Sequence, residues 1–226
     1  MSRKEILARL AAIGEDPQRI DAVLVTHEHS DHVTGLPALA RGLKKPVFLT
    51  HVTAPLIDWN GKVPAVEEYQ AGARFDLGDL IVQSFTIPHD AADPVGFTFR
   101  AEGLKIAIVT DLGYMPDSVK YHLQGSHFVL LESNHDLEML KVGPYPWAVK
   151  QRVLSRKGHL SNDSAGEYIR AELPREVGTL VLGHLSENNN HPAIVEMTAR
   201  QALEERGTAP RLIVAAPRRQ TEAFEF

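Results

Sequence analysis

Thr26-His27-Glu28-His29-Ser30-Asp31-His32 constrains this chain more than any other stretch. Four metal-ligating side chains fall within six residues, directly after the apolar run Ala22-Val23-Leu24-Val25. In a strand that runs out into a loop, alternate side chains share a face, so His27 and His29 can aim the same way. Asp31 and His32 then enter the first turn of a segment, Val33 to Leu43, that reads as a helix. One sharp turn thus offers two ligand sets to two neighbouring points. Neutral imidazoles with a hard carboxylate suit zinc, manganese or iron better than calcium, which prefers an all-oxygen shell.

Whole-chain properties narrow the reading. None of the 226 residues is cysteine, which excludes disulfides and thiolate metal sites and fits the cytoplasm. The opening residues carry Arg3, Lys4, Glu5 and Arg9 and lack the apolar core of a secretory signal. The apolar runs are too short to cross a bilayer, so no membrane partner is expected. A net charge of −5 argues against indiscriminate nucleic-acid binding but leaves room for a local basic patch. With no repeat, low-complexity tract or linker, residues 1–226 are expected to form a single domain; its oligomeric state is left open, a dimer among the options.

Along the chain, Ile6, Leu7, Leu10 and Ile13 recur at helical spacing, with Gly14 placed to stop that helix. Val47-Phe48-Leu49 reads as a short buried strand ending at His51, and Thr53 to Gly72 as a helix or turn followed by loop. Leu80 to Ile87 is a strand leading into Pro88-His89-Asp90. Val95 to Arg100 and Leu104 to Thr110 form a hairpin around Glu102-Gly103. Phe128 to Leu131 and Thr179 to Leu182 are apolar strands, and Leu212 to Ala215 is the last. Helices are expected at Trp147 to Leu154, Ser164 to Leu173 and Ala193 to Glu205.

Several apolar strands therefore end in a candidate ligand: His27, His89, Asp111 and His184. Mixed or parallel sheets flanked by helices bring strand ends to a common edge, where sites are usually built. Blander readings exist for each, a turn histidine for His89 or a helix-capping aspartate for Asp111. Asp90 is expected to orient a ligand rather than to be one. His51, His122, His127 and His191 show no partner pattern and are taken as structural or surface residues.

The H-x-H-x-D-H string resembles the signature of the metallo-β-lactamase superfamily. The resemblance implies an α/β fold of the αββα sandwich type and a site for two divalent ions, zinc or manganese with iron as an option. It assigns His27, His29 and His89 to one ion, Asp31, His32 and His184 to the other, and Asp111 to both. Gly158-His159-Leu160-Ser161-Asn162 resembles the phosphodiesterase branch typified by the tRNA 3′-processing endonucleases. There a histidine before a helix protonates the leaving group and an acidic residue orients it, roles that fall to His159 and Glu132, with Asp31 also counted in the catalytic set. Pro88-His89-Asp90-Ala91-Ala92-Asp93-Pro94-Val95-Gly96, Glu132-Ser133-Asn134-His135-Asp136 and His184-Leu185-Ser186-Glu187-Asn188-Asn189 narrow the match. They are similar to strings of the bacterial YycJ/WalJ group, described as cytoplasmic metal-dependent DNA exonucleases or as hydrolases.

The implied function is a metal-dependent phosphodiesterase with DNA as its partner, held by the basic and aromatic stretch Tyr145, Trp147, Lys150, Arg152, Arg156 and Lys157. Its rivals are an ester, thioester, lactone or cyclic-phosphate hydrolase on the same site, a non-catalytic metal-binding module, and a di-iron redox protein. One departure from the superfamily pattern stands out. The chain opens at the helix that should follow an N-terminal β-hairpin, and no Asp-x-Gly strand end precedes His27. The expected fold therefore lacks that hairpin, through a late start of some 25–35 residues by the family's pattern or through trimming, with an exposed sheet edge as the consequence.

Overall fold

Phe128-Val129-Leu130-Leu131 and Leu180-Val181-Leu182 are buried at nearly every position, as inner strands of a parallel sheet covered on both faces must be. The computed structural model describes residues 1–225. They divide into two units. One is built from residues 1–86, 91–95 and the C-terminal residues from Glu222; the other comprises 87–90 and 96–221.

In the first unit, α1 (Arg3–Ala12) starts at Ser2, whose hydroxyl accepts from Glu5 N, and stops at Gly14 with φ +78°. Strands β1 (Val23–Leu24), β2 (Val47–Thr50) and β3 (Val66–Tyr69) form a parallel sheet in that order. Helices α2 (Ser30–Val33) and α3 (Leu36–Leu43) connect the first two strands. Leu36, Leu39, Ala40 and Leu43 repeat at i, i+3, i+4 and i+7, so α3 buries one stripe, and Leu36 and Ala40 join Val25, Val47, Leu49 and Ile57 in the core. The expected single helix from Val33 to Leu43 is broken at Gly35, where a Cβ would stand 2.3 Å from the Met1 carbonyl oxygen. β3 falls where loop was expected. Its Glu67 and Glu68 are exposed and it lies at a sheet edge, so no apolar alternation marks it. A hairpin of β4 (Arg74–Leu77) and β5 (Leu80–Thr86) completes the unit, with β4 also unforeseen.

The second unit takes up the chain within β6 (Val95–Ala101) and continues with β7 (Leu104–Val109), α4 (Asp117–Leu123), β8 (Phe128–Glu132), α5 (Leu137–Val142) and α6 (Trp147–Val153). After these come α7 (Asn162–Glu172), β9 (Thr179–Gly183), α8 (Pro192–Arg206) and β10 (Arg211–Val214). Its strand order is β10-β9-β8-β7-β6. Glu102 (φ 49°) and Gly103 (φ 81°) make the expected hairpin turn between β6 and β7, both left-handed as a tight two-residue turn requires. From β7 to β10 all pairings are parallel. Helices α4 and α5 are additional to the sequence expectation; at seven and six residues they are too short to show a period.

Register positions the site. Val109 pairs with Leu131, Leu131 with Leu182, and Glu132 with Gly183. Asp111, Glu132 and His184 thus emerge at one level of one sheet edge. The side chains behind them, including Leu112, Leu131, Leu160 and Leu182, are at most 1% exposed. Each such leucine contributes about 1.5–3 kcal/mol of burial, which makes a rigid floor for that edge.

Candidate metal centre

The first unit carries one donor set, in the loop after β1. His27 is fully buried, and its ring centroid lies 4.6 Å from that of His29 and 4.1 Å from that of His32. Thr26 Oγ1 stands 3.1 Å from His27 Nδ1 and 3.2 Å from His32 Nδ1. The hydroxyl oxygen has two lone pairs and can accept from both Nδ1–H groups, the tautomer in which each ring keeps its Nε2 lone pair for a ligand. Asp31 lies in the first turn of α2, with one carboxylate oxygen 3.5 Å from His32 Nε2. Glu28, between the two histidines of the string, accepts from Ala92 N at 2.8 Å, and Val95 N donates to the Thr26 carbonyl at 3.0 Å.

The second unit carries a donor set of its own, drawn from five separate chain segments. Asp111 follows β7 and His184 follows β9, with φ of 63° and 58°. Left-handed backbone costs a non-glycine residue roughly 1–2 kcal/mol, and such strain collects at functional sites. Asp111 Oδ1 lies 3.5 Å from His184 Nε2 and 3.9 Å from His89 Nε2. His89 Nδ1 donates to the Gly158 carbonyl at 3.0 Å, and His184 Nδ1 donates to Glu132 Oε1 at 2.7 Å. With each Nδ1 carrying the proton, both rings turn an Nε2 lone pair towards the Asp111 carboxylate. Acceptors converging in this way repel one another unless a cation lies among them. Burial, as the main cause, lowers the His89 pKa and keeps the ring neutral. The donor set therefore fits a divalent metal on chemical grounds.

Glu132 is the hub of this cluster and is fully buried. Its Oε1 accepts from His159 Nδ1 at 2.8 Å and from His184 Nδ1 at 2.7 Å, while Oε2 accepts from Leu112 N and Leu160 N, each at 3.0 Å. Donor atoms of Asp111, Glu132, His159 and His184 all lie within 4.8 Å of one another. Four donors already occupy the Glu132 carboxylate. Burial pushes its pKa up, and the hydrogen bonds from the two imidazoles outweigh that and hold it well below the usual carboxylate range. For His159, burial works against protonation, but the bond to Glu132 and its charge win and raise the pKa. His159 lies between α6 and α7, with its N–H on the Val153 carbonyl at 3.0 Å.

The structure departs from the sequence reading at the basic stretch. Lys150 is buried and donates to the Lys141 carbonyl at 2.7 Å. Arg152 forms a two-point ion pair with Asp90, its second contact at 3.1 Å, beside His89. The Arg156 guanidinium stacks 3.8 Å above the Tyr114 ring, and Lys157 is exposed. Spacing alone cannot tell that Lys150 of this run turns inwards or that Arg152, though exposed, is engaged by Asp90. The remaining histidines serve backbone: His127 Nδ1 accepts from Lys105 N, and His191 Nδ1 accepts from Ala193 N at the start of α8. His51 is exposed at the end of β2, and His122 lends its carbonyl to Lys105 Nζ. His135 is 1% exposed with neither ring nitrogen hydrogen-bonded among the described residues, and burial lowers its pKa to about 4. Thr26, Glu28 and Asn134 brace the site without having been singled out in the sequence, since threonine, glutamate and asparagine are too common in loops to signal that role.

Known proteins resemble this chain over most of its length. The family described as Beta-lactamase superfamily domain matches residues 3–185. Exodeoxyribonuclease YycJ of Bacillus anthracis is 38% identical over 196 residues, covering 83% of this chain and 72% of the relative. Exodeoxyribonuclease WalJ of Streptococcus pneumoniae is 35% identical over 203 residues, covering 88% and 76%. Among solved structures, the metallo-β-lactamase fold protein YhfI from Bacillus subtilis superposes with a TM-score of 0.65 at 17% identity, covering 88% of this chain and 76% of that one, a likeness of fold. The chain belongs to the metallo-β-lactamase superfamily of hydrolases, in the group that holds the YycJ and WalJ exodeoxyribonucleases.

Proposed function

We propose that this chain is a metal-dependent phosphodiesterase that degrades DNA from an end, in the cytoplasm and as a single metallo-β-lactamase-fold domain. His27, His29 and His89 would hold one ion, Asp31, His32 and His184 a second, and Asp111 both. Zinc or manganese suits the set, with iron chemically compatible. Two such ions would supply an activated water near neutral pH and neutralise the oxygens of the attacked phosphate. His159 donates a proton to the departing alkoxide through Nε2, since Nδ1 is bound to Glu132. Glu132 fixes the tautomer of His159, favours its protonated form, and orients the His184 ring through the same oxygen.

The observation that carries this reading is the sharing of Glu132 Oε1 by His159 and His184 at 2.8 and 2.7 Å. A histidine made basic beside a metal-binding histidine is suited to protonate a poor leaving group. The exodeoxyribonuclease names of the relatives point to DNA as the substrate. The test is His159→Ala. It should keep its metals and lose roughly 10²–10⁴-fold in rate on linear DNA, the usual range for a general acid. A nitrophenyl phosphodiester, whose leaving group needs little protonation, should lose far less, and closed circular DNA should resist the parent enzyme. Equal losses on both substrates would refute the acid role. Efficient thioester or lactone hydrolysis with linear DNA intact under every metal tried would favour the small-molecule rival.

A further inference from the structure

Asn134 lies two residues past the end of β8 and is 9% exposed. Three of its four polar groups reach out of its own segment. The backbone N–H donates to the Leu160 carbonyl at 2.8 Å, in the residue after His159. The backbone carbonyl accepts from Ser186 N at 2.7 Å, and the side-chain Nδ2 donates to the His184 carbonyl at 2.8 Å. One residue thus ties the segment carrying His159 to the segment carrying His184.

The side-chain bond falls where the backbone is least content. His184 has a φ of 58°, and in that conformation its ring reaches Glu132 at 2.7 Å. Relaxation of His184 to an ordinary φ would swing its carbonyl and its ring together. Asn134 Nδ2 blocks that by holding the carbonyl. The neighbouring network acts elsewhere. Ser133, Asn162 and Asn190 bond to one another, with distances of 2.7 and 2.9 Å, and none of these side-chain bonds goes to His184.

We infer that Asn134 is a positioning residue, whose side-chain amide locks His184 in its left-handed conformation so that the ring stays on Glu132 with Nε2 presented to the metal. The inference rests on the metal-ligand reading of His184 but not on the identity of the substrate.

Asn134→Asp is nearly isosteric and cannot donate to the His184 carbonyl. It should weaken binding of the more loosely held zinc about 10–100-fold in competition with a chelator, the usual cost of losing a residue that orients a ligand. In metal-free protein, the downfield Nδ1–H resonance of His184 should broaden while that of His159 persists, a selectivity that general destabilisation would not produce. On a phosphodiester, kcat should fall with KM little changed. Asn134→Ala, which adds no buried carboxylate, carries the same test if the aspartate variant does not fold. In the parent protein the Asn134 amide protons should resist solvent exchange, which needs no variant. Zinc affinity within twofold of the parent with both imidazole resonances intact overturns the inference, as does rapid exchange of that amide. A parent that binds zinc but cleaves no phosphodiester would overturn the proposed function and leave this inference standing.

Discussion

The loop His27 to His32 and the strand-end cluster around Glu132 offer donor atoms of the same kinds, yet they are braced differently. In the loop, the bracing group is the hydroxyl of Thr26, adjacent in sequence to the histidine it holds. In the cluster, the brace is a buried carboxylate that gathers Leu112, His159, Leu160 and His184 from three other segments. A neutral local brace contributes about 0.5–1.5 kcal/mol per hydrogen bond, a charged one about 1.5–3. The loop can therefore hold its shape by chain connectivity, whereas the cluster depends on Glu132. The difference predicts an unequal response to mutation.

The largest effect is expected at Asp111, which neither brace can replace. Asp111→Ala should lose at least one metal equivalent by elemental analysis and bring activity to background. Full metal occupancy in that variant would sink the bridging assignment and with it the joint use of both ligand sets.

Next comes Glu132→Gln. One amide cannot accept from four donors, so unfolding free energy should fall by about 3 kcal/mol, as for the loss of charged buried hydrogen bonds. The rate on DNA should fall by at least about 10², because His159 and His184 are misplaced together. Denaturant titration alongside the nuclease assay measures both. Thr26→Val, which removes only the hydroxyl, should cost at most about tenfold in metal affinity and about 1 kcal/mol in stability. If Thr26→Val proves as damaging as Glu132→Gln, the contrast between local and gathered bracing collapses.

That contrast also governs what could be read from the sequence. The loop was legible as a string because its candidate donors are consecutive in the chain. His89, Asp111, Glu132 and His184 were legible as residues that follow apolar strands, and parallel register then brings Asp111, Glu132 and His184 to one edge. Asn134 was not, because its importance lies in a φ of 58° fifty residues away. β3 was missed for a related reason: an edge strand with two exposed glutamates needs only backbone pairing, which leaves no hydrophobic pattern. The close approach of Met1, which leaves no room for a Cβ at Gly35 where the expected helix divides, is likewise a contact that no periodicity contains.

The smallest effect concerns the basic stretch, where side-chain direction separates neighbours that composition treats alike. Lys150 faces inwards, bonded to the Lys141 carbonyl, while Lys157 is exposed two residues before His159. Each phosphate contact made by a cation releases condensed counterions and adds about 0.9 to the dependence of log affinity on log salt. Lys157→Glu should therefore lower that slope by about 1 and weaken DNA binding by a few-fold near physiological salt, with cleavage of a small nitrophenyl phosphodiester unchanged. Lys150→Ala should do the reverse, lowering the melting temperature through a lost buried hydrogen bond and leaving the salt slope alone. A slope that falls with Lys150→Ala and not with Lys157→Glu would mean that DNA approaches from a side other than the exposed face of this stretch.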